Sequence, residues 1–210
     1  MTFRTITQFK SNLAGGGARP NLFEVTLDFP SNEGMTFMSL DDSAEEDGAP
    51  IIGDPDSAPF LVKAANLPAS NITPVEVPFR GRVLKVAGER TFDTWTVTII
   101  NDTDFKIRTI MEQWMNGISR LTNGSGEVNP GNYDADLYVS QLDRNGNVVR
   151  KYKFFDCFPT NISEIALSYD TTDTIEEFTV EFQILYWNVV NNDASSSGTG
   201  TSDSDYPTIV

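Results

Sequence analysis

The stretch "VAGERTFDTWTVTIIND", residues 86–102, decides how the rest of the chain is read. Its first ten residues crowd together a glycine, an adjacent acid and base, a phenylalanine and a tryptophan, and the remainder alternates. Over 91–100, Phe92, Thr94, Thr96 and Thr98 fall on one face of a strand, and Asp93, Trp95, Val97 and Ile99 on the other. The second face is apolar past Asp93, so it packs inward. Before it lies a corner where Gly88 permits the turn, Glu89 and Arg90 pair, and Phe92 or Trp95 anchors the core. Three roles suit such a corner: an active-site loop, a buried structural turn, or a surface that fits another copy of the chain.

Working outward, the same period of two recurs. In "NLFEVTLDF" (21–29), Phe23, Val25, Leu27 and Phe29 share a face. "FLVKAANLPA" (60–69) is a strand running into a proline turn, and "TPVEVPF" (73–79) and "GRVLKVAG" (81–88) are two more. Downstream, "ADLYVSQL" (135–142) joins "NVVRKYKFFDCF" (147–158) through "DRNG", a hairpin with Asn-Gly at its tip. "SEIALSYD" (163–170) leads to "EEFTVEFQILYW" (176–187), where Phe178, Val180, Phe182, Ile184 and Tyr186 face one way. One helix is expected at about 103–118, capped by Asp102 or Thr103, with Ile107, Ile110, Met111, Trp114 and Ile118 as its apolar stripe. The sum is a mainly β chain, a sandwich or barrel with an inserted helix. It divides into an arm (1–17) ending in "GGG", a body (18–187) with an acidic insertion at 31–59 and a short strand at 34–40, and a flexible Ser/Gly-rich tail (188–210).

Composition narrows the chemistry. The chain has 210 residues, one cysteine and no histidine. The missing histidine removes Ser–His and Cys–His nucleophile pairs and the usual zinc and haem ligand sets. Cys157 lies between aromatics and reads as a small buried apolar residue. No window approaches the length of a transmembrane helix, and the N-terminus lacks the apolar stretch of a signal peptide. The net charge of −15 is unevenly spread: 31–59 holds eight acids and 188–210 three, neither with a base, leaving 19 acids against 15 bases elsewhere. A sequence-specific DNA binder would show a basic face instead.

Sharper motifs fail one by one. Asp143, Asn145 and Asn147 open like an EF-hand loop, but Val148 and Phe154 stand where its glycine and closing glutamate belong, so a hairpin turn explains them. The acid runs at 41–47 and 53–59 offer oxygen ligands for calcium, with a solvated loop the plainer reading. The pairs Asp134/Asp136 and Glu176/Glu177 have no fixed separation to define a glycosidase. No phosphate-cradling glycine motif is present. No catalytic, cofactor or metal residue is assigned.

Four long segments, "ARPNLFEVTL" (18–27), "FLVKAANLPA" (60–69), "VAGERTFDTWTVTIIND" (86–102) and "FPTNISEIALSYDTTDTIEEFTVEFQILYW" (158–187), resemble in order the major tail tube protein of contractile-tailed, myovirus-type bacteriophages. The resemblance implies a β-sandwich-like subunit with a flanking helix, six of which form a ring whose inner sheets join in one continuous β-barrel. Rings would stack into a tube inside a sheath, from a baseplate initiator to a terminator. Its lumen would hold a tape-measure protein and later pass DNA into the host without specific binding. It also implies assembly in the host cytoplasm, location in the virion, and a fold similar to type VI secretion tube proteins. Two alternatives stay open, the tube of a contractile injection or type VI-like secretion system and a tube-initiator baseplate protein. Subunit-interface candidates are Arg19, Asn21, Gly88, Glu89, Arg90, Phe92, Asp93 and Trp95. The 31–59 insertion and the tail are longer than the resemblance leads one to expect, so ring-to-ring contacts carry over least securely there.

Overall fold

The computed structural model describes residues 5–13, 17–30 and 61–190. The acidic stretch 31–59, with its strand at 34–40, and the tail from 191 onward lie outside the described residues.

Nine strands pair antiparallel: β1 (Phe23–Leu27), β2 (Val62–Ala65), β3 (Ser70–Phe79), β4 (Arg82–Phe92), β5 (Trp95–Ile100), β6 (Ala135–Leu142), β7 (Val148–Ile162), β8 (Glu177–Gln183) and β9 (Tyr186–Val190). The main sheet runs β1-β6-β7-β8-β5-β2, with β9 also on β7. Strand β7 belongs to two layers. Its residues up to Cys157 pair with β6 and β9, and Phe158–Ile162 pair with β8. Asp156 takes a positive φ of 50° where the strand changes partners, and the ladder to β6 shifts register beside it. Such irregularities bend a strand from one sheet into the next.

The two layers face each other across one core. Trp95 of β5 stacks on Phe154 of β7 at 4.7 Å and lies against Phe182 of β8 at 5.4 Å. Val97, Ile99, Phe178, Val180, Phe182 and Ile184 are buried in the same cluster as Val25, Leu27, Leu137 and Val139. The inward face expected for 91–100 is therefore observed, with one difference: β4 ends at Phe92 and β5 begins at Trp95. Likewise 176–187 is two strands, and β9 continues through Val190, past the expected start of the tail.

Three helices are described: α1 (Ile6–Asn12), α2 (Lys106–Ile118) and the short α3 (Pro130–Tyr133). Helix α2 buries Ile107, Ile110, Met111 and Trp114 as expected, with Ile118 half-buried. Trp114 donates to the Tyr133 carbonyl at 2.8 Å and meets the rings of Phe29 and Phe182 at 5.9 and 6.0 Å. Neither Asp102 nor Thr103 caps it. Phe105 holds the N-cap position in a left-handed conformation, and the Asp102 carboxylate is used by the Asp104 N–H in the preceding turn. The expected strand at 163–170 is not formed either. Residues 163–176 are an irregular connection, because β7 has already run five residues past the sheet change to Ile162. The arm is partly ordered by its own sequence: Thr5 and Gln8 form a reciprocal capping box on α1.

The "DRNG" reading holds. The Asp143 carboxylate accepts from the N–H groups of Asn145 (2.7 Å) and Asn147 (2.9 Å), and Gly146 takes φ 83°. These bonds, led by that from Asn147, hold Asp143 below the usual carboxylate range. Cys157 is buried and free, and burial pushes its thiol pKa far up, which leaves it unreactive.

Candidate assembly surface

Strands β3 and β4 form a two-stranded sheet of their own, outside the main sheet. Ten residues of β3 at about 3.3 Å each give it a length of about 30 Å. Arg80 (φ 46°) and Gly81 (φ 82°) close its tip, both in the left-handed region that a two-residue type I′ turn requires. Every residue of β3 after Ser70 is exposed, and in β4 only Gly88 and Phe92 are not.

The cross-strand partners define two faces. One carries the pairs Val75–Val86 and Val77–Leu84, then Phe79 opposite Arg82. The other carries Glu76 opposite Lys85, in an ion pair at 3.4 Å, between Pro74–Ala87 and Pro78–Val83. Phe79 is 68% exposed and Leu84 61%. A lone hairpin is marginal in water, and a continuous apolar face of this kind marks a surface that something covers. Proline lacks an N–H, so Pro74 and Pro78 sit where β3 would otherwise offer donors on its outer edge. That edge is blunted against strand pairing, while the apolar face stays open.

The corner read from the sequence is the root of this hairpin. Trp95 is wholly buried, and its indole N–H donates to the Asn66 carbonyl at 2.7 Å. Asn66 also accepts from the Thr96 N–H through Oδ1 at 2.9 Å, which fixes the first residues of β5. Asp93 accepts from the Asn71 side chain at 3.1 Å, and its N–H donates to the Ala69 carbonyl. Phe92 is half-buried and meets Trp187 edge-on at 6.3 Å. Gly88 sits at a register shift between Ile72 and Pro74; a Cβ there would lie 2.4 Å from the Thr73 carbonyl oxygen. Only glycine lets the two backbones approach so closely.

Two expectations for this corner change. Trp95 spends its whole surface inside its own chain, so it positions the hairpin and touches no neighbour. Glu89 and Arg90 do not pair among the described ion pairs. Successive strand residues point to opposite faces, and Arg90 lies opposite Ile72. Arg19 and Asn21 are exposed but elsewhere: they precede β1, at the other end of the strand order, where the Arg19 carbonyl accepts from Leu22 N–H. The apolar face itself was missed. Its residues belong to strands expected from the sequence, and the two prolines of β3 were the signal that these strands stand apart from the main sheet.

The hairpin is also locally basic. Within 70–92, Arg80, Arg82, Lys85 and Arg90 outnumber Glu76 and Glu89, in a chain whose net charge is −15. Among the described residues no cluster of three or more potential metal ligands occurs, and no helix is long and apolar enough to cross a membrane.

A two-layer β body that buries its own core carries, among the described residues, an exposed apolar hairpin, the kind of surface that another protein chain covers. Residues 18–190 match the model of the phage tail tube protein family, and the chain belongs to that family. It is 30% identical over 175 residues to the tail tube protein gp19 of Enterobacteria phage T4, covering 83% of this chain and 93% of that one. Among solved structures it is similar in fold to the tube-terminating cap of the anti-feeding prophage (TM-score 0.54, 15% identity, 83% of this chain and 91% of that one). It is likewise similar to a chain of the sheath–tube complex of PVC, an extracellular contractile injection system, in the extended state (TM-score 0.51, 11% identity, 90% and 99% covered).

Proposed function

We propose that this chain is the structural virion protein that builds the inner tube of a contractile phage tail, as hexameric rings stacked into a hollow cylinder. The observation that carries the reading is the apolar face of the β3–β4 hairpin, uncovered in a chain of the tail tube family. Moving each Val, Leu or Phe of that face fully out of water contributes about 1.5–3 kcal/mol, and another copy of the same chain is the neighbour a tube always supplies. Edge strands β1 and β2 are the natural seams along which inner sheets of adjacent subunits join into one barrel.

The remaining partners follow from the role: a sheath outside, a baseplate initiator and a terminator at the ends, and a tape-measure protein inside during assembly. DNA passes through later without specific binding. At −15 per chain, a ring of six carries −90, and acidic groups on the lumen wall repel phosphates during transit. The role needs no catalysis and no cofactor. Assembly takes place in the host bacterial cytoplasm.

The similarity to an injection-system sheath–tube complex favours one second reading, a tube that delivers effectors rather than DNA. A sheath gene beside this one in a phage genome, rather than in a toxin-injection locus, separates the two. High copy number in the particle separates the tube from a tube initiator. The direct test is electron microscopy of concentrated purified protein. Stacked rings with a central channel are expected; a protein that stays monomeric at every concentration sinks the proposal.

A further inference from the structure

The sequence contains Asn-Gly three times, at 116–117, 123–124 and 145–146, and without a fold the three are chemically alike. The main-chain nitrogen that follows an asparagine can attack that asparagine's own side-chain carbonyl, and glycine, with no Cβ, hinders the approach least. The fold makes the three sites unequal. Asn116 is 8% exposed on α2, its Oδ1 accepts from the Leu121 N–H at 2.9 Å, and Gly117 is buried beside it in the helix. Asn123 is exposed, but its Oδ1 accepts from both the N–H (2.9 Å) and the hydroxyl (2.6 Å) of Ser125. The Gly124 N–H is engaged as well, donating to the Arg120 carbonyl at 2.9 Å. Asn145 is held only through its backbone, whose N–H donates to the Asp143 carboxylate at 2.7 Å. Its side chain makes no hydrogen bond among the described residues, and both it and Gly146 are exposed. The Gly146 N–H donates to the Asp143 carbonyl at 3.2 Å, the long limit of a normal hydrogen bond.

We propose that the tip of the β6–β7 turn is a self-modifying site, at which Asn145 deamidates through a cyclic imide formed with Gly146. The Gly146 amide gives its proton to hydroxide, and its nitrogen attacks Asn145 Cγ. The new N–Cγ bond closes a succinimide ring as the Cγ–Nδ2 bond breaks, and Nδ2 leaves as ammonia after taking a proton from water. Water then opens the ring at either carbonyl, giving aspartate or, with the main chain rerouted through Cγ, isoaspartate. The balance is one water consumed and one ammonia released, with no oxidant or cofactor. Each product sets a second carboxylate close to that of Asp143, which the N–H groups of Asn147 and Asn145 hold below its usual range. Isoaspartate also adds a methylene to the backbone between those two N–H groups, so the turn that fixes the β6–β7 register must reshape. Subunits of an assembled particle are not renewed, so the change accumulates with age.

The test is peptide mass spectrometry of the full chain aged in mildly alkaline buffer. Trypsin cuts after Arg108, Arg120, Arg144 and Arg150, which puts each Asn-Gly in its own peptide, 109–120, 121–144 and 145–150. Fragmentation of the last peptide separates Asn145 from Asn147. In the folded chain, exchange of NH2 for OH is expected at Asn145 about tenfold or more faster than at Asn123 or Asn116, whose reaction waits on a local opening. In strong denaturant the three rates are expected to converge. Asn145→Gln lengthens the side chain by a methylene and disfavours ring closure, so position 145 is expected to stay unmodified at an unchanged melting temperature. Equal rates at the three sites in the folded chain, or an Asn145 that ages no faster than Asn123, overturn the assignment. So does a rank order that persists unaltered in denaturant, since the fold would then not be its cause.

Discussion

Trp95 and Arg90 stand five residues apart and do different work. Trp95 is fully buried against Phe154 and Phe182 and bonded to Asn66, so Trp95→Ala opens a cavity and breaks the anchor of β5. A loss of about 3–5 kcal/mol in unfolding free energy is expected by chemical denaturation. Arg90 is exposed on β4, and Arg90→Ala is expected to change stability by less than about 0.5 kcal/mol while weakening tube formation. If Arg90→Ala assembles as well as the unaltered chain, Arg90 is not a subunit-interface residue. Asp134 offers a different measurement. Its Oδ1 is buried without a hydrogen-bond partner among the described residues, and burial, then the nearby Asp156 charge, raises its pKa from 3.8 to about 6. The folded chain thus holds this proton more tightly than the unfolded one. Stability from this group is full below about pH 4 and declines as pH rises through 6. Much of the carboxyl still meets solvent, which screens the cost to about 1 kcal/mol. Asp134→Asn is expected to raise the melting temperature near pH 7.5 and leave it unchanged near pH 4; equal melting shifts at both values would remove this account.

At the scale of the element, the hairpin is separable in energy from the body it grows from. Its side chains bury almost nothing in the described fold. Val77→Ser with Leu84→Ser is therefore expected to leave thermal unfolding nearly unchanged, within about 0.5 kcal/mol, while cutting assembly sharply. A fall in melting temperature of the isolated subunit comparable to that of Trp95→Ala would show that the hairpin belongs to the core after all. Gly88→Val, by contrast, puts a branched side chain against the Thr73 carbonyl and disturbs the bulge that sets the direction of the hairpin. Helix α1 raises a parallel question. Ile6, Phe9 and Leu13 line its side and are exposed by 74%, 65% and 47%, so its apolar stripe also lacks a cover among the described residues.

For the whole molecule, charge and shape pull in opposite directions. A chain at −15 resists being packed against copies of itself, and self-repulsion of this size keeps free subunits soluble. The β3–β4 hairpin is a locally basic, apolar stretch in a chain of net negative charge. The lumen of the assembled tube is expected to be acidic, and a solved tube with a net-positive lumen would contradict the account of DNA passage.

Much of this was legible in the residues. Alternation alone determined that Trp95, Val97, Ile99, Phe178, Val180, Phe182 and Ile184 face a core, and helical spacing determined the buried face of α2. Both are local periodicities, set by the geometry of one strand or one turn. The quartet of matching segments likewise pointed to the family without reference to contacts, and the missing histidine excluded several catalytic and metal-binding sets. The cap of α2 and the extent of β7 were not legible, because each depends on which backbone groups a neighbour supplies. Nor was the fate of β3 and β4. Their sequences satisfy the pattern of any half-buried strand, and only the tertiary pairing decided that they leave the sheet and carry Val75, Val77, Phe79 and Leu84 into solvent. Burial belongs to a strand and its neighbours together, so the corner at 86–95 could be read from sequence as specified chemistry, but as the root of a projecting arm only from the structure.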